Sequence, residues 1–287
     1  MKPRTLLATV AVLALAGAAS AVGKPQRVMS LNLCTDQIVL QLLPPERIAS
    51  VTYLARGPDV GFPSIDASRV KVNYGSSEEV LAQRPDLVIA GTTSTFATRA
   101  LLKRAGIPLL EVPGAESFED IRNITRTIGR ALEEEARAEA LLQRMDSTLA
   151  ELRQTAPEKP IAVVAWDGGG NVPGPGTLFD AILSAAGAEN VAARLNENTF
   201  HGNYAGFDLE QLVTLDPQLV VYGGSNSRRP DSVHRQVQHR VVQRLFAGRQ
   251  IAYNETFFRC GLPQSADAAK QLRETMRHTL AAMAARP

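Results

Sequence analysis

The 287-residue sequence predicts an α/β protein of two similar lobes with mainly parallel central sheets, joined by a single long α-helix, with a ligand cleft between the lobes. Three observations carry this reading. The stretch SSEEVLAQRPDLVIAG from Ser76 returns as DLEQLVTLDPQLVVYG from Asp208, 132 residues later. A second pair, RVMSL at Arg27 and PIAVVAW at Pro160, keeps a separation of 133 residues. Between the copies runs LEEEARAEALLQRMDSTLAELRQ, Leu132 to Gln154, rich in strong helix formers and free of glycine and proline.

The first 21 residues stand apart from the fold. Lys2 and Arg4 precede the apolar run LLATVAVLALAGAA, and Ala19-Ser20-Ala21 matches a small-residue cleavage site. Residues 1–21 therefore read as a secretory signal peptide, cut after Ala21, with no cysteine there to carry a lipid. Loss of Lys2 and Arg4 leaves 29 basic residues against 29 acidic ones. A neutral chain with no basic block lacks the electrostatic footprint of a nucleic-acid binder. A second long apolar run is also absent, so a soluble periplasmic protein is expected.

The first lobe is assigned to residues 22–130. RVMSL reads as a buried strand followed by a polar loop and an apolar helix. Ser76 with Glu79 three residues on is a capping box that opens a helix, Val80 and Leu81 give that helix its apolar face, and Pro85 ends it. DLVIAG then has the continuous β-branched character of a parallel strand covered on both faces. The linking helix is assigned to residues 131–156, bracketed by Gly129 and Pro157, and its 23-residue helix-forming core would be about 35 Å long. The second lobe, residues 157–287, repeats the plan: PIAVVAW as the first strand, Asp208 with Gln211 as the capping box, Leu212 and Val213 as the apolar face, Pro217 as the stop and QLVVYG as the next strand.

Ligands of open parallel sheets sit beyond the carboxyl ends of the strands. In the first lobe the loops at those ends are Asn32–Asp36, Tyr53–Asp59, Asn73–Gly75 and Thr92–Phe96; in the second they are Trp166–Asn171, Phe200–Tyr204, Gly224–Arg229 and Phe257–Gly261. Eight of the chain's 15 aromatic residues fall in or beside these loops, which favours a ligand with large apolar or planar faces over simple plugging of the sheet ends. Tyr53, Tyr74, Phe96, Trp166, Tyr204 and Phe258 are the candidate aromatic contacts. Arg56, Arg228 and Arg259 are candidates for charge-assisted contacts to oxygen-rich groups. His201 sits in a cleft loop as either a direct ligand to a metal chelate or a hydrogen-bonding group within its loop.

Other chemistries fit less well. GGGNVPGPG follows a strand but lacks G-K-[ST], and H-E-x-x-H and G-x-S-x-G are absent. The four histidines are dispersed, so no bare metal site is expected, nor any cofactor or catalytic group. A two-lobed periplasmic enzyme with an unrecognised cleft chemistry is the alternative to a pure binding protein.

The opening RVMSLNLCTDQIVLQLLPPERIASVTYLAR, the paired E…P-D/Q-LV units, the helical bridge and GTLFDAILSAAGAENVA together resemble the helix-linked, class III, periplasmic substrate-binding proteins of ferric siderophore and cobalamin ABC importers. The resemblance covers essentially the whole mature chain. It implies capture of a metal chelate or corrinoid, a ferric siderophore, cobalamin or haem, and delivery to the membrane subunits of an ABC permease by a monomer. It also implies a role for Glu78 and Glu210. Each lies one residue before the capping-box partner, is left free in a first helical turn, and would dock one lobe onto a permease subunit through arginine pockets.

Cys34 and Cys260 are the only cysteines and fall in cleft loops of opposite lobes. An even pair in an exported chain reads as a disulfide that would tie the lobes and restrict opening, with two free thiols near the ligand as the alternative.

Overall fold

The computed structural model describes residues 23–57, 65–166, 171–195, 200–201, 204–223, 239–253 and 259–285. In the first lobe β1 (Val28–Ser30) leads into α1 (Leu33–Leu42), then β2 (Ile48–Thr52), β3 (Val72–Asn73), α2 (Ser77–Gln83), β4 (Leu87–Gly91), α3 (Phe96–Arg104), β5 (Leu109–Val112) and α4 (Phe118–Leu132). The five strands form one parallel sheet in the order β3-β2-β1-β4-β5. Successive strand residues alternate between two cores. Val28 and Ile89 pack with residues of α1 and α4, whereas Met29, Val88 and Ala90 pack with Val80 of α2 and Leu102 of α3. A sheet buried on both faces is why these strands read as unbroken apolar runs.

After α5 (Glu135–Gln154) the second lobe runs through β6 (Ile161–Trp166), β7 (Asn171–Pro173), α6 (Leu178–Ala185), β8 (Ala188–Asn190), β9 (Phe200–His201), β10 (Tyr204–Gly206), α7 (Leu209–Leu215), β11 (Leu219–Gly223), α8 (Arg240–Leu245), β12 (Gln250–Tyr253) and α9 (Ser265–Ala284). Its parallel sheet has the order β8-β6-β11-β12, the same arrangement as β2-β1-β4-β5 of the first lobe. A small antiparallel sheet, β7-β10-β9, is added beside it.

The duplication extends to single residues. Both capping boxes form: Ser76 with Glu79, and Asp208 with Gln211. Both helices end on a left-handed residue, Arg84 at φ 47° and Asp216 at φ 39°, one position before the proline. One part of the expected apolar face is different. Val80 and Leu212 are fully buried, but Leu81 and Val213 are 51% and 45% exposed, because a seven-residue helix lying on a sheet turns only one full side toward it.

The single helix expected over 131–156 is also corrected. Residues 131 and 132 belong to the end of α4; Glu133 takes a left-handed conformation at φ 54°, and α5 begins at Glu135. Gly129 does not bracket a helix but lies inside α4, at the crossing with α5. A Cβ there would stand 2.6 Å from the Cβ of Ala138, so only glycine allows the two helices to fold back on each other this closely. Glu134, at the turn, pairs with Lys24 at 2.7 Å, with Arg47, and with Arg137 at 3.5 Å.

The 20-residue α5, about 30 Å long, joins the two lobes through a shared core. Leu141, Leu142, Met145, Leu149 and Leu152 belong to one continuous apolar cluster that includes Val28 and Ile89 of the first sheet and Val163 and Val221 of the second. Helix α9 closes the same side. Arg273 donates to the carbonyls of Leu152 at 2.7 Å, Ala185 at 2.8 Å and Ala186 at 2.9 Å, satisfying the ends of α5 and α6.

Candidate functional site

The carboxyl ends of the first sheet are held by a buried polar network. Asn32 caps α1, its Oδ1 accepting from the backbone N–H groups of Cys34 at 2.9 Å and Thr35 at 3.4 Å. Asp36, fully buried one turn into α1, accepts from the backbone N–H of Thr52 at 3.2 and 3.1 Å and from the Thr52 hydroxyl. Asn73 donates to the Ser30 carbonyl and to the Ser50 hydroxyl, both at 3.0 Å, and its Oδ1 accepts from Gly75 N–H at 3.1 Å. Glu79, besides completing its capping box, accepts from Tyr74 N–H at 2.8 Å. Burial pushes the Asp36 carboxyl up to about 7, against the opposing effect of hydrogen bonds from Ser30 and Thr52.

This network sets the position of two aromatic side chains. Tyr53 follows Thr52 and Tyr74 follows Asn73, so each leaves an anchored strand end. Their rings stack with centroids 5.0 Å apart and planes 24° from parallel. They remain 49% and 73% exposed. Phe96, 67% exposed, opens α3 with the Arg99 guanidinium 4.9 Å from its ring centroid. Arg99 also donates to the Ser94 carbonyl at 2.8 Å and the Thr92 carbonyl at 2.7 Å and pairs with Glu111, so it braces the loop after β4.

At the point where the sheet order reverses, between β1 and β4, lies a pocket of about 170 Å³ lined by Asn32, Thr35, Gly91, Thr93, Gly114 and Arg259. Gly91 is needed there, since a Cβ would come within 2.9 Å of the Asn32 side-chain nitrogen. Arg259 reaches this pocket of the first lobe because its neighbour Cys260 is disulfide-bonded to Cys34, with Cα atoms 5.1 Å apart. Gly261 continues the contact: its missing Cβ would meet the Cβ of Ala115 at 2.4 Å.

The expected contact residues thus divide into groups. Tyr53 and Tyr74 come together at the ends of β2 and β3, Phe96 stands beside Arg99 at the start of α3, and Arg259 lines the separate pocket beside Asn32 and Gly91. Arg56 donates to the carbonyls of Ala67 at 3.4 Å, Ser68 at 3.3 Å and Val70, which fixes its guanidinium against residues 67–70. Trp166 ends β6, and Tyr204 pairs with His201 across β10 and β9. Arg228 and Phe258 lie outside the described residues, as does the expected signal peptide. Asp36, Asn73 and Arg99 were not singled out as site residues from sequence; a buried acid two residues after a cysteine has no distinguishing local signature.

Glu78 and Glu210 are both exposed in the first turns of α2 and α7, and neither makes an ion pair with a described residue. Hydrogen bonds from its own backbone N–H and from Ser77 hold the Glu78 carboxyl below its ordinary range, so it is ionised at neutral pH. No helix among the described residues is long and apolar enough to cross a membrane.

Comparison with known proteins bears on this arrangement. A family model described as periplasmic binding protein matches residues 28–250. A cobalamin-binding protein of Halobacterium salinarum is 29% identical over 208 residues, 71% of this chain and 56% of the relative. An uncharacterised ABC transporter substrate-binding lipoprotein of Bacillus subtilis, YvrC, is 26% identical over 208 residues, covering 69% of this chain and 63% of the relative. The chain thus matches only a little over half the length of these curated relatives. Among solved structures, the periplasmic haem-binding protein RhuT of Roseiflexus superposes with a TM-score of 0.72 at 22% identity, over 88% of this chain and 98% of that one. The periplasmic vitamin B12-binding protein BtuF of Vibrio cholerae gives 0.65 at 17% identity, over 90% and 98%.

Proposed function

Because the chain belongs to the periplasmic binding protein family, we propose that it is the substrate-binding component of an ABC importer, exported to the periplasm by cleavage after Ala21. Its cargo is a metal chelate with a planar face, a corrinoid or haem ahead of a ferric siderophore. The single observation that supports this best is the stacked Tyr53–Tyr74 pair, left largely exposed at the strand ends. Two tyrosines held in register by buried hydrogen bonds form a flat apolar face whose hydroxyls still reach water, and covering it with a macrocycle removes that face from solvent. The relatives named for cobalamin and the haem- and B12-binding structural neighbours point the same way.

Residues of the second lobe, Trp166, His201, Tyr204 and Phe258 among them, would complete the cleft opposite the tyrosines. The shared core along α5 and the cross-lobe disulfide favour small lobe movements over wide opening. Glu78 and Glu210, one exposed glutamate per lobe, would meet basic residues on the two membrane subunits. A two-lobed enzyme is not favoured, since the family is one of binding proteins.

The test is the mass and absorption spectrum of material copurifying with the periplasmic protein, followed by calorimetric titration with cyanocobalamin, haemin and ferrichrome. Micromolar or tighter binding of one macrocycle supports the reading. Failure of all three to bind sinks it.

A further inference from the structure

Four residues at the start of α1 each hold a different part of the molecule. The Asn32 side-chain nitrogen donates to the Ser94 hydroxyl at 3.4 Å, in the loop that leads to Phe96. Cys34 is bonded to Cys260 of the second lobe. The Thr35 hydroxyl meets that of Ser30 at 2.7 Å, and the Ser30 carbonyl accepts from Asn73, the residue before Tyr74. Asp36 accepts from the backbone N–H and the hydroxyl of Thr52, the residue before Tyr53. The attachment point of the second lobe therefore stands two residues from the acid that holds one tyrosine, and one residue from the hydroxyl that leads to the other. Asn32 caps this turn, and the Asp36 N–H closes on the Asn32 carbonyl at 2.8 Å, so the turn moves as a unit.

The second lobe grips α1 by more than one bond. Beyond β12, residues 259–264 lie against the first lobe before α9 returns to α5 and α6. Cys260 holds the start of α1, Gly261 packs on Ala115 and Ile121, and Gln264 donates to Gln41, two turns and about 10 Å further along the same face of α1. This strap follows α1 rather than its own sheet. The shared cluster along α5 already joins the lobes, so the strap's distinct contribution is its point of attachment, the turn that supports the aromatic groups.

We propose that the first turn of α1 couples the second lobe to the tyrosine face, with Asp36 as the positioning residue for Tyr53, and that attachment of the strap at Cys34 thereby raises the affinity of that face for a planar ligand. This rests on the reading of Tyr53 and Tyr74 as cargo contacts. The coupling follows from the narrow tolerance of the bonds involved. A hydrogen bond weakens steeply as it bends. Asp36 and Thr52 are both buried, so neither exchanges its partner for water without leaving a polar group unsatisfied. A displacement of Cys34 passes to Asp36 through a closed helical turn, from Asp36 to Thr52, and from Thr52 to the first ring of the exposed pair. Rings stacked 5.0 Å apart keep one flat face only while both strand ends hold their register. Asp36 is fully buried and acts on the ligand only through Thr52.

Fluorine NMR of the protein labelled with 3-fluorotyrosine tests the coupling without any ligand. The chain has five tyrosines; Tyr53 and Tyr74 are assigned by Tyr53→Phe and Tyr74→Phe, and Tyr222 of β11 is the control. Opening the strap by Cys34→Ser with Cys260→Ser should shift the Tyr53 and Tyr74 resonances and leave that of Tyr222 in place. It should also weaken binding of haemin or cyanocobalamin, whichever the parent binds, about tenfold. Asp36→Ala should move the same two resonances with the strap intact. Opening the strap in that background should then add little further shift and a loss of affinity of about twofold at most, as expected of groups that act in series. Asp36→Asn, which keeps an oxygen for Thr52, should restore the parental response. Should Asp36→Ala fail to fold, Thr52→Val takes its place and should respond to strap opening less than the parent does. Unmoved Tyr53 and Tyr74 resonances after strap opening overturn the coupling. Equal shifts in the parent and Asp36→Ala backgrounds overturn Asp36 as the route. Shifted resonances with unchanged affinity for a probe that the parent binds overturn the link to affinity. Failure of the parent to bind either probe counts against the cargo reading alone, and the resonances still decide the coupling.

Discussion

Cys34 and Cys260 stand on different lobes, 226 residues apart in sequence, and are bonded across the strand ends with their Cα atoms 5.1 Å from each other. That separation is within the ordinary range for a disulfide, so the backbone of both lobes meets it without displacement. The bond also carries Arg259 to the pocket beside Asn32, and Gly261 against Ala115. Cross-lobe attachment at this point therefore shapes the pocket as well as the fold.

Removing the bond should loosen both. Cys34→Ser with Cys260→Ser, or reduction of the parent, is expected to lose about 2–4 kcal/mol of stability. For a chain of this size that corresponds to a fall of about 5–10 °C in Tm. The shared core along α5 keeps the lobes together, so a native fold at 25 °C with faster ligand release is the outcome to look for by calorimetry and stopped flow. An unchanged Tm would show that the bond contributes nothing beyond what the core already provides.

The tyrosine pair should behave oppositely. Tyr53→Ala with Tyr74→Ala removes two side chains that are 49% and 73% exposed, so the melting temperature should move little. Affinity for a planar ligand should fall about 10–100-fold, in line with loss of an aromatic anchor. A variant that binds the macrocycle as the parent does would place the cargo elsewhere.

Much of this architecture could be read directly from the chain, and the parts that could not share one cause. Capping boxes, a helix stopped by proline and a doubly buried strand are written in consecutive residues, so Ser76–Gly91 and Asp208–Gly223 were legible in both lobes. The turn between α4 and α5 was not, because Glu133, Glu134 and Glu135 are all good helix formers. The chain turns there because Glu134 meets Arg47, 87 residues away, and because Gly129 admits Ala138. The same holds for the site. Tyr53 and Tyr74 advertise themselves as aromatic residues after strands, whereas Asp36 matters through Thr52, 16 residues on, and Arg56 is held by carbonyls 11 to 14 residues on.

Asp36 gives a pH signature. Its carboxyl is raised to about 7 in the folded protein from an ordinary value of 3.8, so between those limits the folded state keeps a proton that the unfolded chain releases. Stability must then fall as pH rises from about 4 to about 7 and level off above, by an amount on the order of 2–4 kcal/mol from this residue alone. Asp36→Asn keeps an oxygen for Thr52 and does not titrate. Urea unfolding of parent and variant at pH 4, 5.5 and 7.5 isolates the effect as a difference: the variant should gain on the parent across that interval. Parallel curves would mean that Asp36 is ionised in the native protein throughout.

Glu78 and Glu210, proposed to dock the protein, allow the sharpest separation of capture from delivery. Both are exposed, make no ion pair with a described residue and sit where a first-turn carboxylate gains about 0.3–1 kcal/mol from the helix dipole. Were that their whole role, reversing their charge would cost a small amount of stability and nothing else. Tyr74 lies only four residues before Glu78, at the end of β3, but it is Glu79, not Glu78, that holds the Tyr74 backbone. Charge reversal should therefore leave ligand affinity within a few-fold of the parent. If the proposed docking holds, Glu78→Arg with Glu210→Arg should nonetheless abolish uptake of the labelled cargo, because each arginine then repels the basic residues that the glutamate would attract. Each single change should be partial, since the other lobe still anchors. Uptake at the parental rate by the double variant would reduce the two glutamates to helix-start charges and the repeat that carries them to a matter of folding alone.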